Sequence, residues 1–163
     1  MASSLDRREF LARLGFGLAA LPAVPIVSAL GVGAKARMAR PPMTVYKSAS
    51  CGCCKSWVAY MQKAGFTVTA KDVDDLDKIK KDLGVPVQLV SCHTGVIGAY
   101  LVEGHVPADV IGKFLAEKPA GARGIAVPGM PQSSPGMDVP GAKDKYDVIL
   151  FTSAGKTSVY ARR

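Results

Sequence analysis

The 163-residue chain has four cysteines, and three of them, Cys51, Cys53 and Cys54, fall within four residues; the fourth is Cys92. Cys51 and Cys54 have the C-x-x-C spacing of a thiol redox pair, in which the first sulfur sits at a helix N-terminus whose backbone N–H groups favour the thiolate. A thiolate stabilised in this way is both a nucleophile and a metal ligand. Cys53 is the departure from that pattern. Disulfide exchange needs two sulfurs, and a third between them invites wrong pairings in an oxidising compartment. Crowded thiolates suit soft metals instead, because a cation relieves their mutual repulsion. Copper(I) or zinc supplies that charge, and Cys92 could close the coordination sphere from a separate segment, so that four sulfurs hold one tetrahedral zinc or bridge several copper(I) ions. A C-x-C-C turn plus a C-H pair has neither the usual zinc-knuckle spacing nor an iron–sulfur spacing, which puts copper ahead of zinc. The plain alternative is one stabilising disulfide with two inert cysteines, as in many small exported domains. Three cysteines in one turn speak against it.

Other soft or basic donors lie near these sulfurs in sequence. His93 follows Cys92 directly and could serve as ligand, proton shuttle or orienting donor. His105 precedes Val106-Pro107 at the end of a strand-like run, where a solvated or capping histidine is the ordinary expectation and a site role the sharper one. Met130 and Met137 sit in Gly-Met-Pro and Pro-Gly-Met turns; a thioether is a weak soft ligand for copper(I), and the alternative is that both pack the loop down over the apolar end of the sheet.

The elements that must position these residues follow from hydrophobic periodicity. Met43–Ser48 is short and β-prone and runs into the cysteine turn; from Cys54, the residues Trp57, Val58 and Met61 recur at helical spacing up to Gly65. Phe66–Val73 alternates as a second strand. Asp74-Asp75 then caps a helix carrying Leu76, Ile79 and Leu83, ended by Gly84 and Pro86. Val85–Val90 and Gly98–Val106 predict extended segments on either side of a cysteine-bearing turn, Ser91–Thr94. Pro107 opens a helix with Val110, Ile111, Phe114 and Leu115. Residues 118–143 are so rich in proline and glycine that a long loop is predicted. Tyr146–Thr152 and Lys156–Ala161 form a hairpin around Ser153-Ala154-Gly155. This order predicts an α/β fold: a thioredoxin-like mixed β-sheet flanked by helices, with an inserted helix-containing segment and a long Pro/Gly/Met loop before a C-terminal β-hairpin. In such a fold a cis-proline turn leads into the hairpin, and Val127–Pro128 or Met130–Pro131 could fill that place.

The start of the chain reads as an address. MASSLDRREFL resembles the twin-arginine export motif through Arg7 and Arg8, and Leu14–Ala34 follows without a charge. Its glycines and prolines make it a broken hydrophobe, as in a cleavable leader, and Val32-Gly33-Ala34 and Ala34-Lys35-Ala36 suit a signal peptidase. The predicted organisation is a twin-arginine signal peptide over 1–36, a short linker over 37–42 and one metal-binding domain over 43–163. The alternative is an uncleaved anchor; after cleavage no stable membrane anchor is expected. Of the formal net charge of +8, the leader's four cations and two acids account for +2, leaving 8 − 2 = +6. The lysines are scattered and no aromatic-interleaved basic run occurs, so nucleic acid is not an expected partner.

Together, Lys47–Trp57 with its C-x-C-C turn, Ser91-Cys92-His93-Thr94, Glu103-Gly104-His105-Val106-Pro107 and the Gly124–Met137 stretch resemble the CopG-like copper-resistance family of periplasmic metal-binding proteins. The likeness covers nearly all of residues 43–163. It implies a thioredoxin-like domain in which Cys51, Cys53, Cys54 and Cys92 hold copper as a multinuclear sulfur-bridged cluster. It also implies a periplasmic role in copper storage, transfer or redox interconversion, alongside other copper-handling proteins. A second reading is a periplasmic thiol–disulfide oxidoreductase in which Cys51 attacks and Cys54 resolves. A third is a structural zinc module, against which the ample α/β core argues.

Overall fold

The computed structural model describes residues 40–137 and 139–163. The leader over 1–36 and residues 37–39 of the linker lie outside the described residues. No helix among the described residues is long and apolar enough to cross a membrane.

A seven-stranded mixed sheet organises the chain, in the order β2-β1-β3-β4-β5-β6-β7. β1 (Met43–Lys47) lies parallel to β2 (Val68–Asp72) and antiparallel to β3 (His93–Ile97). β4 (Tyr100–Glu103) is antiparallel to β3 and parallel to β5 (Ala122–Ala126), and the hairpin of β6 (Asp147–Thr152) and β7 (Thr157–Arg162) extends the sheet from β5. Alternation along the strands sends neighbouring residues to opposite faces. Val102, Ile125 and Val148 join Trp57, Val58 and Met61 of α1 (Gly52–Lys63) and Ile111 and Phe114 of α3 (Ala108–Glu117). Their neighbours Leu101 and Ala126, with Phe151, join Val85, Leu89 and Leu83 on the other side, beneath α2 (Leu76–Leu83). The sheet is therefore covered on both faces.

Local signals place the helices. The Cys51 side chain accepts from the Cys54 N–H at the start of α1, and the Asp75 carboxylate accepts from the Lys78 N–H at the start of α2, each satisfying an N–H with no partner inside its helix. Gly84 closes α2 in the left-handed conformation.

Several predicted elements are corrected. Val85–Val90 is not a strand: Val87–Leu89 forms a 3-10 turn, opened by Pro86. Ser91–Thr94 is not wholly a turn, since β3 begins at His93. Residues 118–143 are not one loop, because they contain β5, an interior strand of the sheet. Gly124 misled the reading: in sequence it is a breaker, but in the sheet a Cβ there would lie 2.3 Å from the Leu101 carbonyl oxygen and 2.7 Å from the Phe151 ring, so close packing demands glycine. Every peptide bond among the described residues is trans, so neither Val127–Pro128 nor Met130–Pro131 supplies a cis-proline turn.

Candidate metal centre

The end of β1, the start of α1 and the start of β3 converge at one end of the sheet. Lys47, the last residue of β1, is buried; it pairs through its ammonium with Asp72 and stands directly across from His93. The chain then turns, with the Cys51 N–H donating to the Ser48 carbonyl at 3.1 Å, and α1 begins. The four cysteine sulfurs all lie within 4.8 Å of one another, so the sequence's candidate set is brought together. Cys51 and Cys54 form a disulfide, and Cys53 and Cys92 are free thiols. The Cys51 and Cys53 sulfurs are 3.6 Å apart. Cys54 is buried and its sulfur lies 3.5 Å from the Cys92 carbonyl oxygen.

A second group overlaps the first at Cys92, whose sulfur lies with one nitrogen each of His93 and His105 inside the same 4.8 Å limit. His105 departs from expectation: it is fully buried rather than solvated, and its Nε2 is 2.8 Å from the Cys92 sulfur. Its Nδ1 faces the Pro135 carbonyl oxygen at 2.7 Å. A carbonyl only accepts, so Nδ1 carries the proton and Nε2 is left to accept from the Cys92 S–H. Electrostatics agrees with this neutral pair. Burial, reinforced by the neighbouring Cys53, pushes the Cys92 thiol up to about 12, and burial holds His105 below the usual imidazole range. His93 is also fully buried, its ring 4.3 Å from that of Trp57 and 5.0 Å from that of His105. Burial, then the charges of His105 and Lys80, hold it well below the usual range, and its Nε2 has no hydrogen-bond partner.

The methionine loop reaches the same end of the molecule. A Cβ on Gly136 would lie 2.6 Å from the Trp57 backbone nitrogen, so the Pro135-Gly136-Met137 turn sits directly on α1, with Met137 half-buried. Met130 is 57% exposed. The loop thus seats on α1 through its second turn.

Sequence reading passed over a buried polar network on the opposite face. The fully buried Glu103 carboxylate accepts from Lys80 Nζ at 2.6 Å, from Thr94 Oγ1 at 2.6 Å and from the Ser91 N–H at 2.7 Å. Burial pushes its carboxyl upward, while Lys80, Thr94 and Ser91 oppose that shift. A signal existed: Lys80 stands four residues after Leu76 and three before Leu83, on the apolar stripe of its helix, where a cation needs a buried anion.

A mixed α/β domain that gathers four sulfurs and two imidazoles, two of the sulfurs joined as a C-x-x-C disulfide, has the donor set of a soft-metal or thiol-redox protein. The comparisons narrow this class. Two solved structures described as "Copper resistance protein copG", forms 1 and 2, match at 44% identity, covering 76% of this chain and 98% of theirs, with TM-scores of 0.71 and 0.72. A family model described as "Protein of unknown function, DUF411" matches residues 89–137, the span from Leu89 to Met137 that holds Cys92 and both histidines. No curated protein matches. The chain belongs to the CopG copper-resistance family.

Proposed function

We propose that this protein binds copper(I) as cargo in a periplasmic copper-resistance role, through the thiolates of Cys51, Cys53, Cys54 and Cys92, within a domain of thioredoxin-like type. The observation that carries the reading is the meeting of all four sulfurs within 4.8 Å of one another, close enough for shared thiolates to bridge more than one ion. Soft sulfur donors favour copper(I) over hard cations, and the family relationship favours copper over zinc. His93 and His105 stand ready as further donors or as the groups that orient Cys92; Met137 lies on the loop turn that reaches α1.

The disulfide sets a condition on loading. Two of the four sulfurs become ligands only when an external dithiol reduces the Cys51–Cys54 bond, supplying two electrons and two protons and leaving as its own disulfide; the two thiols shed their protons as the metal arrives. The same bond favours a second reading, thiol–disulfide exchange with Cys51 as the attacking sulfur at the helix start. The twin-arginine leader and the periplasm belong to the proposal, as do its export machinery, a signal peptidase and further copper-handling proteins. Cell fractionation of a form with Arg7 and Arg8 both changed to Lys tests the address.

Anaerobic copper(I) loading of the reduced protein, compared with the oxidised protein and with Cys92→Ser, tests the function. More than one copper per reduced chain is expected, with clear losses in both comparison samples. A reduced protein that retains no copper yet turns over disulfide substrates would replace this reading with the second.

A further inference from the structure

Cys92 has no helix end to place it, and the turn before it is seated in the core through Leu89 alone, with Val87 87% and Val90 37% exposed. Something else must fix its sulfur beside those of Cys51 and Cys53. Glu103-Gly104-His105 touches Ser91–Cys92 from both faces of the sheet. On the α2 face the Glu103 carboxylate, anchored by Lys80 and Thr94, takes the Ser91 N–H at 2.7 Å. On the α1 face His105 Nε2 meets the Cys92 sulfur at 2.8 Å. Between them the chain passes from one face to the other at Gly104, with φ of +72°, where a Cβ would lie 2.4 Å from Ser91 Oγ and 2.6 Å from the Val127 carbonyl oxygen. Only glycine allows that approach. The Gly104 N–H donates to the His93 carbonyl at 2.9 Å, and Ser91 Oγ donates to the Gly129 carbonyl at 2.5 Å, tying the methionine loop to the same point.

We propose that Glu103, held by Lys80 on the far side of the sheet from the histidines, is the positioning residue for Cys92, and that Glu103-Gly104-His105 acts as a clamp placing this sulfur against the cysteine turn. Glu103 touches no sulfur; it acts through the Ser91 amide, where a charge-assisted hydrogen bond inside the protein is strong and directional. This deepens the copper reading by naming what sets the fourth sulfur in place, yet the clamp is a property of the metal-free protein and is testable without copper.

The disulfide form suits the test, because only Cys53 and Cys92 are free to react and Cys53 is a built-in control. In the full chain, Lys80→Met/Glu103→Gln keeps an acceptor for the Ser91 N–H, whereas Lys80→Met/Glu103→Leu removes it; neither leaves a buried charge unpaired. Iodoacetamide labelling followed by mass spectrometry reads each cysteine separately. The Gln form is expected to label Cys92 within about twofold of wild type, and the Leu form on the order of tenfold faster, with Cys53 changed less than about twofold in both. Equal Cys92 rates in the two forms, or equal acceleration of both cysteines, would overturn the clamp. Hydrogen exchange in the wild-type protein needs no variant to fold: the Ser91 amide is expected to exchange as slowly as those of β3, and exchange as fast as at Val87 would overturn the proposal. Should labelling and exchange come out as expected while no form binds copper, the clamp stands and the copper reading fails.

Discussion

Cys51, Cys53 and Cys54 are placed by local structure: a turn closed by the Ser48 carbonyl and a helix start where the Cys51 side chain accepts from the Cys54 N–H. Cys92 is placed by side chains from other segments: His105 meets its sulfur, and Glu103, paired with Lys80 of α2, holds the N–H of Ser91 just before it. The first arrangement is local in sequence and survives wherever a helix starts. The second is a set of buried polar contacts, each depending on its partner, so damage spreads along it. One end of the site is thus robust and the other conditional, and the conditional end carries a thiol whose proton burial holds tightly.

The comparison breaks most severely at Lys80. Lys80→Met leaves the Glu103 carboxylate buried without its cation, and such a loss costs about 3–5 kcal/mol, whereas replacing both partners with groups of similar shape costs far less. Denaturant unfolding of the metal-free protein is therefore expected to show a large loss for Lys80→Met, most of it recovered in Lys80→Met/Glu103→Gln. At the local end, Ser50→Ala, which removes an exposed hydroxyl paired only with Ser48, is expected to cost less than about 0.5 kcal/mol. Equal losses at the two positions would erase the distinction.

Acid sharpens it next. Both histidines belong to the conditional end, and both are held below the ordinary imidazole value of 6.5 in the folded metal-free protein. The unfolded chain then binds more protons than the folded one as pH falls through 6.5, so stability present above that value is lost below it. The slope is at most about 1.4 kcal/mol per pH unit for each histidine. Thermal unfolding between pH 7 and pH 5 should show this decline, and His93→Phe, which keeps a ring against Trp57, should flatten it. An unchanged slope in that variant would mean that other groups set the acid limit. Cys92 works in the opposite sense at high pH: its thiol is raised from an ordinary 9.0 to about 12, so its contribution is present below 9 and is lost as pH rises through that interval.

The same contrast explains what the sequence made legible. The C-x-C-C turn, the Asp75 cap, α1, α2, α3 and the hairpin declare themselves through spacing, capping residues and periodicity within a dozen residues. Cys92 was legible as a residue type, but its surroundings were not. His105 looked like a strand-end histidine because its two partners, Cys92 and Pro135, lie 13 and 30 residues away. β5 was hidden because Gly124, required by the closeness of β4 and Phe151, has the local signature of a loop. What sequence withheld in each case was a contact between distant segments, and the conditional half of the site is made of such contacts.

The methionines apply this lesson to a pair that sequence cannot separate. Met130 and Met137 both sit among prolines and glycines in one loop and read as equivalent soft donors. In the fold, Met137 lies on the turn seated against Trp57, while Met130 stands 57% exposed one residue from the Gly129 carbonyl that receives Ser91. A side chain so exposed adds little to the packed state, so Met130→Leu is expected to leave stability within about 0.5 kcal/mol and copper per chain unchanged. Copper titration and denaturant unfolding of that one variant check both. Loss of a whole copper ion would mean that Met130 is a ligand despite its exposure, and would erase the difference between the two methionines.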